Sequence, residues 1–375
     1  MTDSSETPRA PGQELAGLAA AAAAAPAGDL LALTAALVAV PSVSRNEEAL
    51  AGAIEARIRP LGLAVERLGD SVVARTEGRR DRRIVLAGHL DTVPANGNEA
   101  PRIHADVLHG LGAADMKGGV AVLLRLAEEI AEDARFDCSF VFYESEEIAD
   151  EFNGLRRLFA ERPDLVAGDL AVLLEPTDLW LEAGCQGSLR LEATFRGERA
   201  HTARPWRGVN AIHRAAPTLA RLAGHEPQPV DVDGLRFRQA LQVVDVHGGV
   251  AGNVVPDRCT VVVNRRYAPV LSVEEAEAEV RALLVEADDV NLTSVSPAAH
   301  PNLSHPLVAE FAGRLDLPVR PKLGWTDVAR FSAHGIPAVN FGPGDPEVSH
   351  TSEERVTRDA LEGCYAALAA FLTAG

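Results

Sequence analysis

The sequence has 375 residues, of which 47% are hydrophobic, and its 54 acidic and 36 basic side chains give a formal net charge of −18. This length favours two domains, with enough apolar residues for a sizeable core. The acidic excess argues against nucleic acid or an anionic membrane as a partner, and the absence of an 18-residue apolar run argues against a transmembrane helix.

The first 27 residues are acidic and rich in Ser, Pro and Ala. They lack the basic start and apolar middle of a signal peptide, so we expect residues 1–27 to form a flexible tail or a frayed helix. The four cysteines are scattered, with no CxxC pair. They are expected to be reduced core thiols of a cytoplasmic protein.

Helical and strand patterns alternate from about residue 30 to 178, which is typical of an α/β domain. Buried strands are predicted where short, largely apolar runs occur, and helices where apolar residues recur every three or four positions. The predicted strands are 82–88, 138–144 and 169–175, and the predicted helices are 29–40, 46–61 and a long helix that begins at Asp115.

The pattern changes in the middle of the chain. Residues 184–296 follow the order β-α-β-β-α-β, which is that of the ferredoxin-like unit. The α/β style then returns, with a strand at 338–342 and a helix after Ser352. We therefore predict a discontinuous catalytic domain formed by 28–183 and 297–375, with 184–296 as an inserted domain.

Polar residues that can bind metal follow each of the predicted buried strands. They are His89 and Asp91, the acidic run 144–147, Glu175 and, after the last strand, His350. Asp115 follows a Gly-rich loop. Because ligands of open parallel sheets bind beyond the carboxyl ends of the strands, we expect these residues to meet in one place.

Several carboxylates and two imidazoles without a thiol favour zinc, cobalt or manganese. A divalent cation would relieve the repulsion between the acids, and one carboxylate could bridge two metals about 3.5–4 Å apart. Asp91 lies two residues after His89 on a strand-like exit, so it can accept the other ring N–H of that histidine. Taken singly, each residue also fits an ordinary surface or helix-capping position; their joint occurrence favours a metal site.

Five segments resemble, in order, the metal-site motifs of the M20 co-catalytic metallopeptidase family: LAGHLDTVP, GLGAADMKGG, ESEE, LLEPT and VSHTSEE. The resemblance implies a zinc-peptidase-like catalytic domain, with a mixed sheet flanked by helices, and an inserted lid and dimerisation domain. It also implies two zinc ions, with cobalt or manganese as alternatives, and a bridging water or hydroxide. His89 and Glu175 would bind one metal, Glu147 and His350 the other, and Asp115 both, with a cis Asp115–Met116 bond.

The same resemblance implies roles for other residues. Asp91 would orient His89, and Glu146 would be the general base. In a homodimer, His201 would reach the active site of the other subunit and hold the developing oxyanion. The positions that match substrate-binding residues of the family are Ser188, Asn253, Arg266 and Thr326.

Further motifs, among them GCQGSLR and GWTDVARF, are most similar to an actinobacterial branch of the family. This implies hydrolysis of N-succinyl-LL-2,6-diaminopimelate, a small anionic N-acyl amino acid, to LL-2,6-diaminopimelate and succinate in lysine and cell-wall biosynthesis. Cys185 and Gln186 replace an arginine pair of many relatives, and Trp325 replaces a glycine. Arginines that could substitute for the lost pair are Arg190, Arg204 and Arg207.

Other activities share the metal motifs. A related deacylase, such as an N-acetylornithine deacetylase, or a dipeptidase would differ in the substrate pocket. A zinc-binding scaffold without activity would have no need of the base Glu146.

Overall fold

The structure is a computed structural model that describes residues 11–26, 28–131 and 133–373. Its helices are α1 (Pro11–Ala24), α2 (Leu30–Val38), α3 (Glu48–Ile58), α4 (Gly118–Glu129), α5 (Gly154–Glu161), α6 (Pro163–Val166), α7 (Ala211–Ala223), α8 (Val273–Leu283), α9 (Pro306–Arg314), α10 (Val328–Ala333) and α11 (Arg358–Thr373). Within the described residues, none of these helices is long and apolar enough to cross a membrane.

The strands are β1 (Ala64–Leu68), β2 (Ser71–Arg75), β3 (Arg83–His89), β4 (Arg102–His104), β5 (Val107–His109), β6 (Asp137–Tyr143), β7 (Leu170–Leu173), β8 (Leu181–Cys185), β9 (Gly187–Arg196), β10 (Val230–Val232), β11 (Leu235–Phe237), β12 (Ala240–Gly248), β13 (Arg258–Tyr267), β14 (Asp289–Ser296), β15 (Val319–Lys322), β16 (Ala338–Asn340) and β17 (Arg355–Thr357). The predicted strands and helices correspond to these elements, with differences at their ends.

The chain divides into two units. The first contains Met1–Glu182, Leu303–Arg320 and His334–Gly375, and the second contains Ala183–Asn302 and Pro321–Ala333. The sequence placed 184–296 alone in the inserted domain. Residues 321–333 join the second unit because hydrogen bonds tie them to it: Gln186 N donates to Lys322 O over 3.3 Å and Trp325 Nε1 donates to Pro297 O over 3.0 Å.

A mixed sheet with the order β1-β2-β6-β3-β7-β16-β8-β15 contains the four predicted buried strands side by side. β3 is parallel to both β6 and β7, and β16 is parallel to β7, whereas β2 runs antiparallel to β6. β6, β7 and β16 are buried along their whole length, as expected of parallel strands covered on both faces. The predicted α/β fold is confirmed, and these four strands end at the same edge.

Two glycines allow the start of α4 to approach this edge closely. A Cβ at Gly119 would lie 2.4 Å from the carbonyl oxygen of Leu174, just beyond β7, and one at Gly88 would lie 2.8 Å from Cε of Met116. A side chain at Gly119 would meet backbone and push α4 away from the sheet, whereas one at Gly88 would displace the flexible end of Met116. The turn that precedes α4 is therefore held next to the ends of β3 and β7.

The prediction that a helix begins at Asp115 is wrong by three residues. α4 begins at Gly118, and Asp115 and Met116 have non-helical backbone angles (φ −120°, ψ 92° and φ −133°, ψ 41°). The Asp115–Met116 peptide bond is cis, as the family resemblance implied. Asp115 therefore sits in an irregular turn and not at a helix N-cap.

Of the two alternatives expected for residues 1–27, a flexible tail and a frayed helix, the described part favours the helix. Pro11–Ala24 forms α1, an outcome that fits the high helix propensity of its alanines, and Ala22 is buried. Residues 1–10 and 27 lie outside the described residues.

The second unit contains an antiparallel sheet with the order β12-β13-β9-β14. Its apolar face packs with α7 and α8 in a core that includes Leu191, Val261, Ala215 and Val280. The predicted β-α-β-β-α-β order is confirmed, with an additional hairpin, β10–β11, between α7 and β12.

Candidate metal centre

The ring of His89 is fixed from both sides at the end of β3. Its Nδ1 lies 3.0 Å from the carbonyl oxygen of Asp91 and 3.4 Å from the Asp91 carboxylate, and its Nε2 lies 3.1 Å from Oδ1 of Asp115. The side chain is 1% exposed. The contact with Asp91 leaves Nε2 as the nitrogen that faces the other site residues.

The carboxylate of Asp115 lies between two imidazoles. Its Oδ1 faces His89, and its Oδ2 lies 3.4 Å from Nε2 of His350. His350 Nε2 also lies 2.8 Å from Oε1 of Glu147. One ligand atom from each of His89, Asp115 and Glu147 falls within 4.8 Å of the others. A carboxylate with one oxygen toward each imidazole has the arrangement needed to bridge two cations.

The charges of this cluster favour a positive ion at its centre. Hydrogen bonds to Asp115 and Glu147 raise the pKa of His350 to about 10. Burial alone would lower the pKa of His89, but hydrogen bonds to Asp115 and Asp91 outweigh burial, and the nearby charge of Glu175 adds to them, so that pKa is also raised. Nitrogen and oxygen donors in an acidic field fit zinc, cobalt or manganese.

Asp91 holds more than the histidine. Its Oδ1 accepts a hydrogen bond from Glu146 N over 2.9 Å, and its Oδ2 accepts from Glu147 N over 3.1 Å and from Ser44 Oγ over 2.7 Å. The side chain is fully buried. Asp91 therefore holds the His89 ring, through its carbonyl oxygen and its carboxylate, and the turn that carries Glu146 and Glu147, through its carboxylate.

The four residues after β6 have separate tasks. Glu144 forms an ion pair with Arg157 and accepts a hydrogen bond from Asp70 N over 2.8 Å, so it belongs to the scaffold. Ser145, at φ +58°, donates to the buried Glu47 through its N–H and its hydroxyl. This turn directs Glu147 toward His350. Glu175, the second residue after β7, is also buried, at 6% exposure.

Three residues near this centre have no signal in the sequence: Ser44 contacts Asp91, Glu354 contacts the backbone of Asp115, and Lys117 lies in the same turn as Asp115. Burial raises the pKa of Glu354 to about 7 and lowers that of Lys117 to about 7. Glu354 lies within VSHTSEE, but nothing in its residue type distinguishes it from the exposed Glu353. Only the fold reveals that it is buried against the backbone before Asp115.

The five remaining predicted site residues all lie in the second unit. His201 and Asn253 are exposed and belong to adjacent segments, since Thr202 N donates to Asn253 O over 3.0 Å. Ser188 and Arg266 are paired across β9 and β13. Thr326 is buried, at 5% exposure.

Cys185 and Gln186, which replace the arginine pair, make contacts within the second unit. Cys185 is buried, with its Sγ 3.9 Å from Thr326 O, and burial raises its thiol pKa to about 11. Gln186 is 2% exposed and donates through Nε2 to Arg238 O over 2.6 Å. Neither residue is placed to bind an anion in the way an arginine would.

An α/β fold with imidazole and carboxylate side chains at the ends of its parallel strands is typical of a class of metal-dependent hydrolases. Residues 85–374 match the model of peptidase family M20/M25/M40, and the chain belongs to this family.

Among curated relatives, a Mycobacterium tuberculosis protein provisionally named succinyl-diaminopimelate desuccinylase is 48% identical over 332 residues, covering 88% of this chain and 94% of the relative. The succinyl-diaminopimelate desuccinylase of Corynebacterium glutamicum is 40% identical over 358 residues, covering 92% and 96%. The chain therefore matches these relatives over nearly their full length.

Solved structures share the fold. A tripeptidase from Staphylococcus aureus superposes with a TM-score of 0.76 at 21% identity, covering 93% of this chain and 98% of that chain. A dinuclear metal-binding peptidase of family M20 from Bacillus subtilis superposes with a TM-score of 0.69 at 16% identity, covering 92% and 97%.

Proposed function

We propose that this protein hydrolyses the amide bond of N-succinyl-LL-2,6-diaminopimelate to LL-2,6-diaminopimelate and succinate. The proposal is carried by one combined observation. Relatives with 48% and 40% identity bear the name of this activity, and the chain has the clustered His89, Asp115, Glu147 and His350 that a metal-dependent amidohydrolase needs.

The proposed cofactor is a pair of divalent cations, with zinc favoured by the imidazole and carboxylate donors. His89 and Glu175 would hold one ion, Glu147 and His350 the other, and Asp115 would bridge them. Bound cations of this kind polarise a carbonyl and bring the pKa of a bound water near 7.

Glu146 is the proposed general base and acid. Its backbone N–H donates a hydrogen bond to Asp91, and the preceding residue, Ser145, donates one to Glu47. In this role it takes a proton from the attacking water and returns it to the leaving amine. The product amine then leaves as diaminopimelate, and the acyl part leaves as succinate.

We place His201 in the active site of a second subunit, where it would hold the developing oxyanion. Support for a homodimer comes from the surface of the second unit. β12 is an edge strand, and apolar side chains on or beside it are about half exposed: Val244 54%, Val246 47% and Val250 59%. An apolar strand edge of this kind is a liability unless a partner covers it.

An anionic substrate is supported by two arginines on the polar face of the same sheet. Arg190 and Arg266 lie on neighbouring strands, with Arg266 opposite Ser188 and Asn264 opposite Arg190. Burial and the nearby charge of Arg190 lower the pKa of Arg266. In the described part of the chain neither guanidinium forms an ion pair, and two such neighbours favour a carboxylate between them. Arg190 is therefore our candidate for the residue that binds the substrate carboxylate in place of the missing arginine pair.

We also place the reaction in the cytoplasm. The four cysteines are free and buried, a state that a reducing compartment preserves.

The test is a panel of substrates with the purified protein, before and after removal of metal with a chelator. The panel contains N-succinyl-LL-2,6-diaminopimelate, N-acetylornithine and a dipeptide. We expect preferential, chelator-sensitive release of succinate from the first. Preferential cleavage of N-acetylornithine would assign the related deacylase activity instead, and no cleavage of any amide would favour a zinc-binding scaffold.

A further inference from the structure

The buried carboxylate of Glu354 binds the backbone that leads into Asp115. Its Oε2 accepts a hydrogen bond from Gly112 N over 2.9 Å, and its Oε1 accepts from Ala114 N over 3.1 Å and Asp115 N over 3.0 Å. The side chain is 2% exposed. A carboxylate that receives three N–H groups is a strong restraint on the path of a loop.

Glu354 belongs to the short segment that also carries His350. This segment also contacts β5 and the loop between β5 and Asp115. Gly110 N donates to Glu354 O over 3.1 Å, and β17 pairs with β5 through Arg355 and His109. The two halves of the proposed metal centre are distant in sequence, and the contacts of Glu354 connect them directly.

Lys117 lies on the same turn and is also buried, at 2% exposure. Its ammonium group donates to Val40 O over 2.8 Å. Lys117 is the one basic residue of the turn at 113–117, and it interacts electrostatically with Glu354. Burying Glu354 here would be costly without these partners, so the arrangement is specific to a carboxylate at this position.

We propose that Glu354 is a positioning residue that sets the distance between Asp115 and His350 before any metal binds. The proposal rests on the metal site of the proposed function. Partners behind metal ligands orient those ligands and commonly contribute about 10–100-fold to metal affinity. Glu354 would orient Asp115 through the backbone N–H of that residue, and His350 through the short chain segment that contains both His350 and Glu354.

The decisive variant is Glu354→Asp, which keeps the charge but shortens the side chain by one methylene. It cannot reach all three N–H groups at once. We expect the affinity for zinc, measured by competition with a chromophoric chelator in the absence of substrate, to fall by about 10-fold or more. We also expect faster hydrogen exchange at Gly112, Ala114 and Asp115 in the metal-free protein. Glu354→Ala should have the larger effect if it folds.

Glu353→Asp is the matched control, because Glu353 is the exposed neighbour and its side chain makes no such contacts. It should bind zinc as the wild type does. A folded Glu354→Asp protein with wild-type zinc affinity and wild-type exchange would overturn the proposal. Normal zinc binding by the wild type without amide hydrolysis would overturn the proposed function alone.

Discussion

The two units treat their polar residues differently. In the first unit His89, Asp91 and Glu175 are buried, whereas His350 is half exposed. Asp91 has no exposed surface and receives the N–H groups of both Glu146 and Glu147. In the second unit His201, Asn253 and Arg190 are exposed. Rigid support suits metal binding and proton transfer, whereas exposed side chains suit contacts that a substrate or a second subunit completes.

This contrast leads us to expect different effects from substitutions in the two units. Substitutions in the first unit should change metal content or the chemical step, and substitutions in the second unit should leave the metal in place. The following changes test that division, from the largest expected effect to the smallest.

Asp115→Asn should have the largest effect. Both carboxylate oxygens face an imidazole, and an amide offers only one acceptor oxygen and no negative charge. We expect zinc affinity to fall by more than ~100-fold, since loss of a partner behind a ligand already costs about 10–100-fold, and turnover should fall to background. Elemental analysis after gel filtration measures the metal content. Asp81→Asn, at an exposed aspartate, is the control; full metal content in Asp115→Asn would contradict a bridging role.

Glu146→Gln should separate chemistry from metal binding inside the first unit. The amide is nearly isosteric but cannot accept the proton from water. We expect kcat to fall by about 10²–10⁴-fold with zinc content unchanged. Stopped assays of succinate release together with metal analysis provide the measurement. Near-normal turnover would remove Glu146 from the role of base.

His201→Ala should reduce kcat by about 10²–10³-fold, the usual effect of losing one oxyanion donor, with both metals retained. If His201 acts in the other subunit, mixing this variant with Glu146→Gln should recover part of the activity. A mixed dimer then contains one site with an intact Glu146 and an intact His201. Absence of recovery in a mixture shown to exchange subunits would assign His201 to its own subunit.

Arg190→Met should have the smallest effect, and on KM more than on kcat. A hydrogen bond to a charged group contributes about 1.5–3 kcal/mol, so KM for the succinyl substrate should rise by roughly 10–100-fold. The N-acetyl analogue, which lacks the succinyl carboxylate, should be affected less if Arg190 binds that group. Arg236→Met, at an exposed arginine of the β10–β11 hairpin, is the control. Equal KM values for wild type and Arg190→Met would instead favour Arg204 or Arg207 as the arginine that binds the substrate carboxylate.

The part of the sheet that carries the candidate metal centre was predictable because its central strands are buried on both faces. Largely apolar runs marked β3, β6, β7 and β16, and the polar residues after them marked the edge where they end. The turn at Asp115 was not predictable from periodicity, because the apolar pattern of α4 continues smoothly back to Met116. The family resemblance supplied the cis bond that interrupts the helix.

Which acids serve the site was only partly predictable. Residue type does not separate Glu144, which pairs with Arg157, from Glu147, which lies against His350. Glu354 escaped notice because its partners are backbone N–H groups, which every residue has. The replacement of the arginine pair by Cys185 and Gln186 was visible in the sequence, whereas the burial of both side chains required the fold.

The spread of the donors along the chain has a consequence for biosynthesis. His89, Asp115, Glu147 and Glu175 precede the whole second unit, and His350 follows it, close to α11. Four of the five proposed metal ligands are therefore synthesised long before the fifth. A product terminated within the second unit would lack His350 and could not form the proposed two-metal site.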